Sequence, residues 1–123
     1  MLAFATAVND QWDQVVGRVD TSDGVTHGYL AQVWPWPPVY TLIDVPNAVS
    51  TVAWGIDNNG GPVVGEYTDG AGTTHGFLLQ NQVFETIDVP NSIFTTCHGV
   101  SVSNVAGSYV DSNGVMHGFV WTP

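Results

Sequence analysis

The chain has 123 residues, enough for one domain with a real core, and one Lys or Arg against 11 acidic residues gives a formal charge of -10. That balance repels phosphate backbones and anionic headgroups, which excludes nucleic acid as a partner and disfavours a membrane surface. Cys97 is the single cysteine, so no intrachain disulfide exists, and no apolar run approaches the roughly 18 residues of a membrane-spanning helix.

Residues 2–9 (Leu-Ala-Phe-Ala-Thr-Ala-Val-Asn) read as a strand. Met1 to Ala7 ends in an Ala-x-Ala but lacks a basic start and a long apolar stretch, so it reads as fold rather than as a leader. Strands at 14–20 and 25–32 follow, with Thr21-Ser-Asp-Gly24 between them. Asp with Gly between short β-rich runs marks a hairpin, because Gly supplies the positive φ of a tight turn. Val33-Trp34-Pro35-Trp36-Pro37-Pro38 then interrupts the pattern. Its prolines forbid helix and central strand and favour an extended, polyproline-like bulge, four residues longer than the matching turn at Gln80-Asn-Gln82. A strand resumes at 39–45. The series restarts with 50–57, 62–68, 73–80 and 83–89, and again with 94–101, 104–110 and 115–122. β-branched residues dominate and no useful 3.6-residue apolar period occurs, so the fold class is all-β.

The restarts are a repeat. Gly65-Glu-Tyr67-Thr-Asp69-Gly-Ala-Gly72-Thr-Thr-His75-Gly76-Phe77 recurs as Gly107-Ser-Tyr109-Val-Asp111-Ser-Asn-Gly114-Val-Met-His117-Gly118-Phe119. A weaker copy, from Gly17 through Gly24 to His27, lies upstream. Ile43-Asp44-Val45-Pro46-Asn47 recurs as Ile87-Asp88-Val89-Pro90-Asn91. Four short antiparallel strands in roughly 40 to 45 residues is the spacing of a β-propeller blade. One repeat domain over 1–123 is expected, with blades at 1–46, 47–90 and 91–123. The last lacks its outer strand, which leaves an unpaired edge at Gly114 to Thr122. The link from Val45 to Ser50 is not a hairpin and suits passage from an outer strand to the next inner strand. The innermost strands carry Ala5-x-Ala7-Val8, Ala53-x-Gly55-Ile56 and Cys97-x-Gly99-Val100, small residues that suit a crowded axis.

Over essentially the whole chain, Gly-x-Tyr-x-Asp-x-x-Gly-x-x-His-Gly-Phe and Thr-Ile-Asp-Val-Pro resemble the HAF repeat of probable extracellular bacterial proteins. The first copy departs from it, with Val19 for Tyr, Thr21 for Asp, and Leu42 where Thr86 stands. The resemblance implies export and a propeller-like fold. It implies no catalytic residues.

Several residues invite chemistry. His27, His75 and His117 suggest a metal, but repeat symmetry places each in its own blade. Each is expected instead to bond its turn or a nearby Asp: Asp69, Asp111, and less well Thr21. The Asp/Asn-Gly turns offer too few oxygens for Ca²⁺, which takes about 6 to 8. Asp44 and Asp88 are expected to cap the loops that follow them by bonding backbone N–H groups. Cys97 replaces Ala on an inner strand and reads as a buried small hydrophobe. His98 cannot be its base, since adjacent strand residues point to opposite faces. No nucleophile, base or metal set is nominated, so the reading is non-enzymatic and without a cofactor. Trp34 and Trp36, on their Pro-rich loop, are either a lid over the local edge or contact residues.

Three units fall short of the four to eight blades, roughly, of a closed propeller. The expected role is therefore an extracellular self-assembling module, its partner a second copy, forming a ring or a head-to-tail filament. A section of a longer repeat array also fits. The alternative is a carbohydrate-binding module that stacks glycans on Trp34, Trp36, Tyr67 and Tyr109.

Overall fold

The computed structural model describes residues 2–102 and 104–123; Met1 and Ser103 lie outside the described residues. Alternating apolar residues and Gly- or Asn-bearing turns produce eleven strands there: β1 (Leu2–Asn9), β2 (Gln14–Asp20), β3 (Thr26–Gln32), β4 (Val39–Ile43), β5 (Ser50–Ile56), β6 (Val63–Thr68), β7 (Thr74–Gln80), β8 (Val83–Ile87), β9 (Ser92–Ser101), β10 (Asn104–Asp111) and β11 (Met116–Trp121). Each expected strand is present. They form one open, mixed sheet.

Within a unit the pairing is antiparallel throughout: β1 to β4, β5 to β8, and β9 to β11 each run as a meander. The units join by short parallel bridges, Thr26 opposite Ser50 and Thr74 opposite Phe94. The link after β4 therefore carries the chain from the last strand of one unit to the first strand of the next. The first strands lie against one another, β1 on β5 and β5 on β9. Their approach is close: a Cβ on Gly55 would stand 2.3 Å from the carbonyl oxygen of His98.

Two apolar clusters form between units rather than within them. Val16, Ile43 and Val45 of the first unit pack with Ala53, Ile56, Val63 and Phe77 of the second. Val64, Leu78 and Ile87 of the second pack with Cys97 and Val105 of the third. Hydrogen bonds cross the same seams. Thr6 Oγ1 donates to Ala53 O at 2.6 Å, Trp12 Nε1 to Asn59 O at 2.6 Å, and Val102 N to Asp57 Oδ2 at 2.7 Å.

The Trp-Pro segment departs from its expectation. Residues 34–37 bend rather than extend, with cis peptide bonds at Trp34-Pro35 and Trp36-Pro37. No helix of the described residues is long and apolar enough to cross a membrane.

Candidate functional site

The three glycines of the repeat motif answer three different physical demands. At Gly17, Gly65 and Gly107 a Cβ would overlap a backbone oxygen of the neighbouring first strand, at 1.9, 1.9 and 2.1 Å. Gly24, Gly72 and Gly114 have open space but φ of +84, +87 and +83, a conformation L side chains resist. Gly28 and Gly76 sit under the outer strand, where a Cβ would meet the oxygens of Ile43 and Ile87 at 2.9 Å.

The histidine beside the last glycine anchors the best-defined polar cluster. His75 Nε2 lies 2.7 Å from Asp69 Oδ2, and its Nδ1 lies 2.8 Å from Asp88 Oδ2. An ionised carboxylate only accepts, so two carboxylates on the two ring nitrogens favour the doubly protonated imidazolium. Asp69 Oδ1 accepts the N–H groups of Ala71 and Thr73 at 2.9 and 3.0 Å. One carboxylate thus holds both the turn and the histidine. The Tyr67 ring stacks on His75 with centroids 5.0 Å apart, and its hydroxyl lies 2.7 Å from Thr86 Oγ1. Burial, the largest single influence on His75, pushes its pKa down, but Asp69 and Asp88 together outweigh it and raise it above 6.5. Asp69 is held below the ordinary carboxylate value, first by the His75 bond and then by the Thr73 N–H.

The third unit repeats half of this clamp. His117 Nε2 lies 2.7 Å from Asp111 Oδ2, and Asp111 Oδ1 accepts the N–H groups of Asn113 and Val115. The Asp111 pKa is lowered, chiefly by the His117 bond. Tyr109 stacks on His117 with centroids 4.9 Å apart. In the first unit His27 Nδ1 lies 2.8 Å from Asp44 Oδ1, and Nε2 reaches only Thr21 Oγ1 at 3.4 Å. Asp23 serves the turn there, accepting the Val25 N–H at 3.1 Å. Val19 and Leu42 stand where Tyr67 and Thr86 bond each other, so both partners of that bond are replaced together.

Asp44 and Asp88 do not cap the loops that follow them. The register places Ile43 opposite Gly28 and Ile87 opposite Gly76, so the next residue on each outer strand faces the histidine. The loop N–H groups of Val45 and Val89 instead bond Thr51 and Thr95, at 3.2 and 3.3 Å. The signal was in the sequence as Ile-Asp after a hairpin. Reading it needed the strand register, which the insertion in the first unit obscures.

The remaining candidates separate. Cys97 is fully buried beneath Gly76, and desolvation pushes its thiol up to about 12, which leaves no thiolate at ordinary pH. His98 is exposed and tilts against Trp54, 5.5 Å between centroids. Among the described residues no group of three or more His, Cys, Asp or Glu side chains is placed to hold a metal. Trp34 and Trp36 are 65% and 74% exposed, and Trp34 borders an apolar cleft with Val8, Val15 and Val33. Tyr67 and Tyr109 stack their rings on His75 and His117. Compared with protein-family models, curated proteins and solved structures, the chain finds no match.

Proposed function

We propose that the chain is an extracellular, self-associating structural module of HAF-repeat type. Its units act as propeller-like blades that continue from one copy to the next, closing as a ring or running on as a filament. One observation carries the reading: equivalent repeat positions are buried between units and bare at the two ends. Ile56 is 9% exposed against the first unit, whereas Val8, its equivalent, is 63% exposed. Leu78 is 3% exposed against the third unit, whereas Val120, its equivalent, is 76% exposed. The two bare ends are thus the separate halves of an interface that the molecule already makes twice internally. Joining them is a heterologous contact, which closes or polymerises according to its rotation. A few hundred Å² of apolar surface per face would contribute several kcal/mol, at about 25 cal/mol per Å².

The four-stranded meanders, the crossover link and the packed first strands support the blade reading. Light scattering tests the association. An assembly larger than 13.1 kDa is expected, and Val8→Asp or Val120→Asp should each dissociate it into folded monomers, with the melting temperature falling only by what association supplies. A well-folded 13.1 kDa monomer of the unsubstituted chain at micromolar concentration and moderate salt overturns the proposal.

The exposure of Trp34 and Trp36 favours a second reading, a sugar-stacking surface. Glycan-array binding that is lost in Trp34→Ala and Trp36→Ala supports it, and an empty array dismisses it.

A further inference from the structure

The exposed side of β11 carries residues whose identities its own chain does not explain. At Gly28 and Gly76 a Cβ would meet the outer strand's carbonyl oxygen at 2.9 Å, and at Gly76 also the next unit's Cys97 Sγ at 2.6 Å. Gly118 occupies the same place in the third unit, yet a Cβ there would meet nothing nearer than Gly107 O at 3.9 Å. His27 and His75 each give Nδ1 to an outer-strand carboxylate, Asp44 or Asp88, and their side chains are 19% exposed. The His117 side chain is 41% exposed, and among the described residues its ring is bonded through Nε2 alone, to Asp111. β11 is the terminal strand of the sheet path, with one face of its backbone ladder unpaired.

We propose that this edge is an acceptor groove for an extended segment from another chain that carries the pattern Ile-Asp-Val-Pro. The molecule holds two templates of the bound state. In each, five outer-strand residues pair antiparallel with the strand after the turn, Ile opposite glycine. Transferred to β11, that register sets the incoming Ile over Gly118, the position at which Ile43 and Ile87 lie buried between their own strand and the next unit. The following Asp then meets His117 Nδ1 and completes the two-carboxylate clamp seen at His75. Main-chain bonds supply affinity, and the Ile and Asp supply selection, as in strand addition to sheet edges generally. The two Ile-Asp-Val-Pro segments within residues 1–123 already lie on β3 and β7, so neither is free to fill this edge in the same molecule. The main-chain pairing and the Asp–His117 contact belong to the edge itself, whereas full burial of the Ile requires a unit stacked on the same face, as at both templates.

The probe is a labelled synthetic peptide with the sequence of residues 83–91, titrated into the whole chain and followed by fluorescence anisotropy. Saturable binding is expected, weakened about tenfold when the peptide carries Asp88→Asn or the protein His117→Gln, the loss of one charge-assisted hydrogen bond. Gly118→Ala is the decisive variant: its Cβ is free in the unliganded chain, so melting should not change, but it would crowd the incoming carbonyl and abolish binding. Light scattering on the same samples reports face-to-face association separately, so either idea can fail alone. No binding, equal binding of a scrambled peptide, or undiminished binding to Gly118→Ala overturns the proposal. So does a dimer that exchanges its own β4 onto the edge and takes up no peptide.

Discussion

The imidazole Nδ1 of His75 lies 2.8 Å from Asp88 Oδ2 and ties the strand after the turn to the segment leaving the outer strand. With Asp69 on Nε2, the ring joins the turn, the sheet and the outer strand of one unit. Replacing His75 with Ala leaves two carboxylates without their donor. It is expected to cost about 1 to 3 kcal/mol in chemical denaturation. His117→Ala, with one carboxylate released and a more exposed ring, should cost less. Equal losses at the two positions would show that Asp88 contributes nothing.

The pH dependence has a definite sign. His75 has a folded pKa raised above 6.5, so its contribution is fully present below that value and disappears as pH rises through the folded pKa. Asp69 and Asp111 have folded values below 3.8, so theirs is present above 3.8 and disappears as pH falls through the lowered values. The melting temperature should decline as pH rises above 6.5 through the raised value, and more gently in His75→Gln. A profile that rises over that interval contradicts the imidazolium assignment.

The repeat glycines should not be interchangeable. A methyl at Gly65 meets Val52 O at 1.9 Å and the Phe77 ring at 2.9 Å, backbone and core that have little room to yield. Gly65→Ala is expected to cost about 3 kcal/mol. Gly72→Ala meets open space and bears only the strain of positive φ, about 1 kcal/mol. Melting curves of the two variants give the order directly.

Chelation should leave the fold intact. Asp69 and Asp111 spend one carboxylate oxygen on turn N–H groups and the other on histidine, which leaves little for a cation. EDTA is expected to leave the melting temperature unchanged. A fall reversed by Ca²⁺ would show that cations hold these turns.

Association should strengthen with salt. Subunits of formal charge -10 repel, and ions screen that repulsion beyond about 8 Å at physiological strength while apolar burial persists. Raising salt from about 20 to about 150 mM should increase the assembled fraction in sedimentation. Dissociation by salt would point to ion pairing as the adhesive instead.

The sequence by itself determined the strands, the turns and the repeat. Those signals are local: alternation of side chains needs two residues, and a tight turn needs a Gly or Asn where φ is positive, as at Gly72 and Gly114. It also paired His75 with Asp69 and His117 with Asp111, because a hairpin brings residues six apart together across one turn. Only the tertiary structure decided that Asp44 and Asp88 face histidines. That depends on a register fixed by hairpin length and by the apolar face of the outer strand, where one residue of slip would turn each carboxylate away. Burial was decided there as well. Val8 and Ile56 are equivalent in the repeat, and whether either meets water depends on whether a neighbouring unit lies against it.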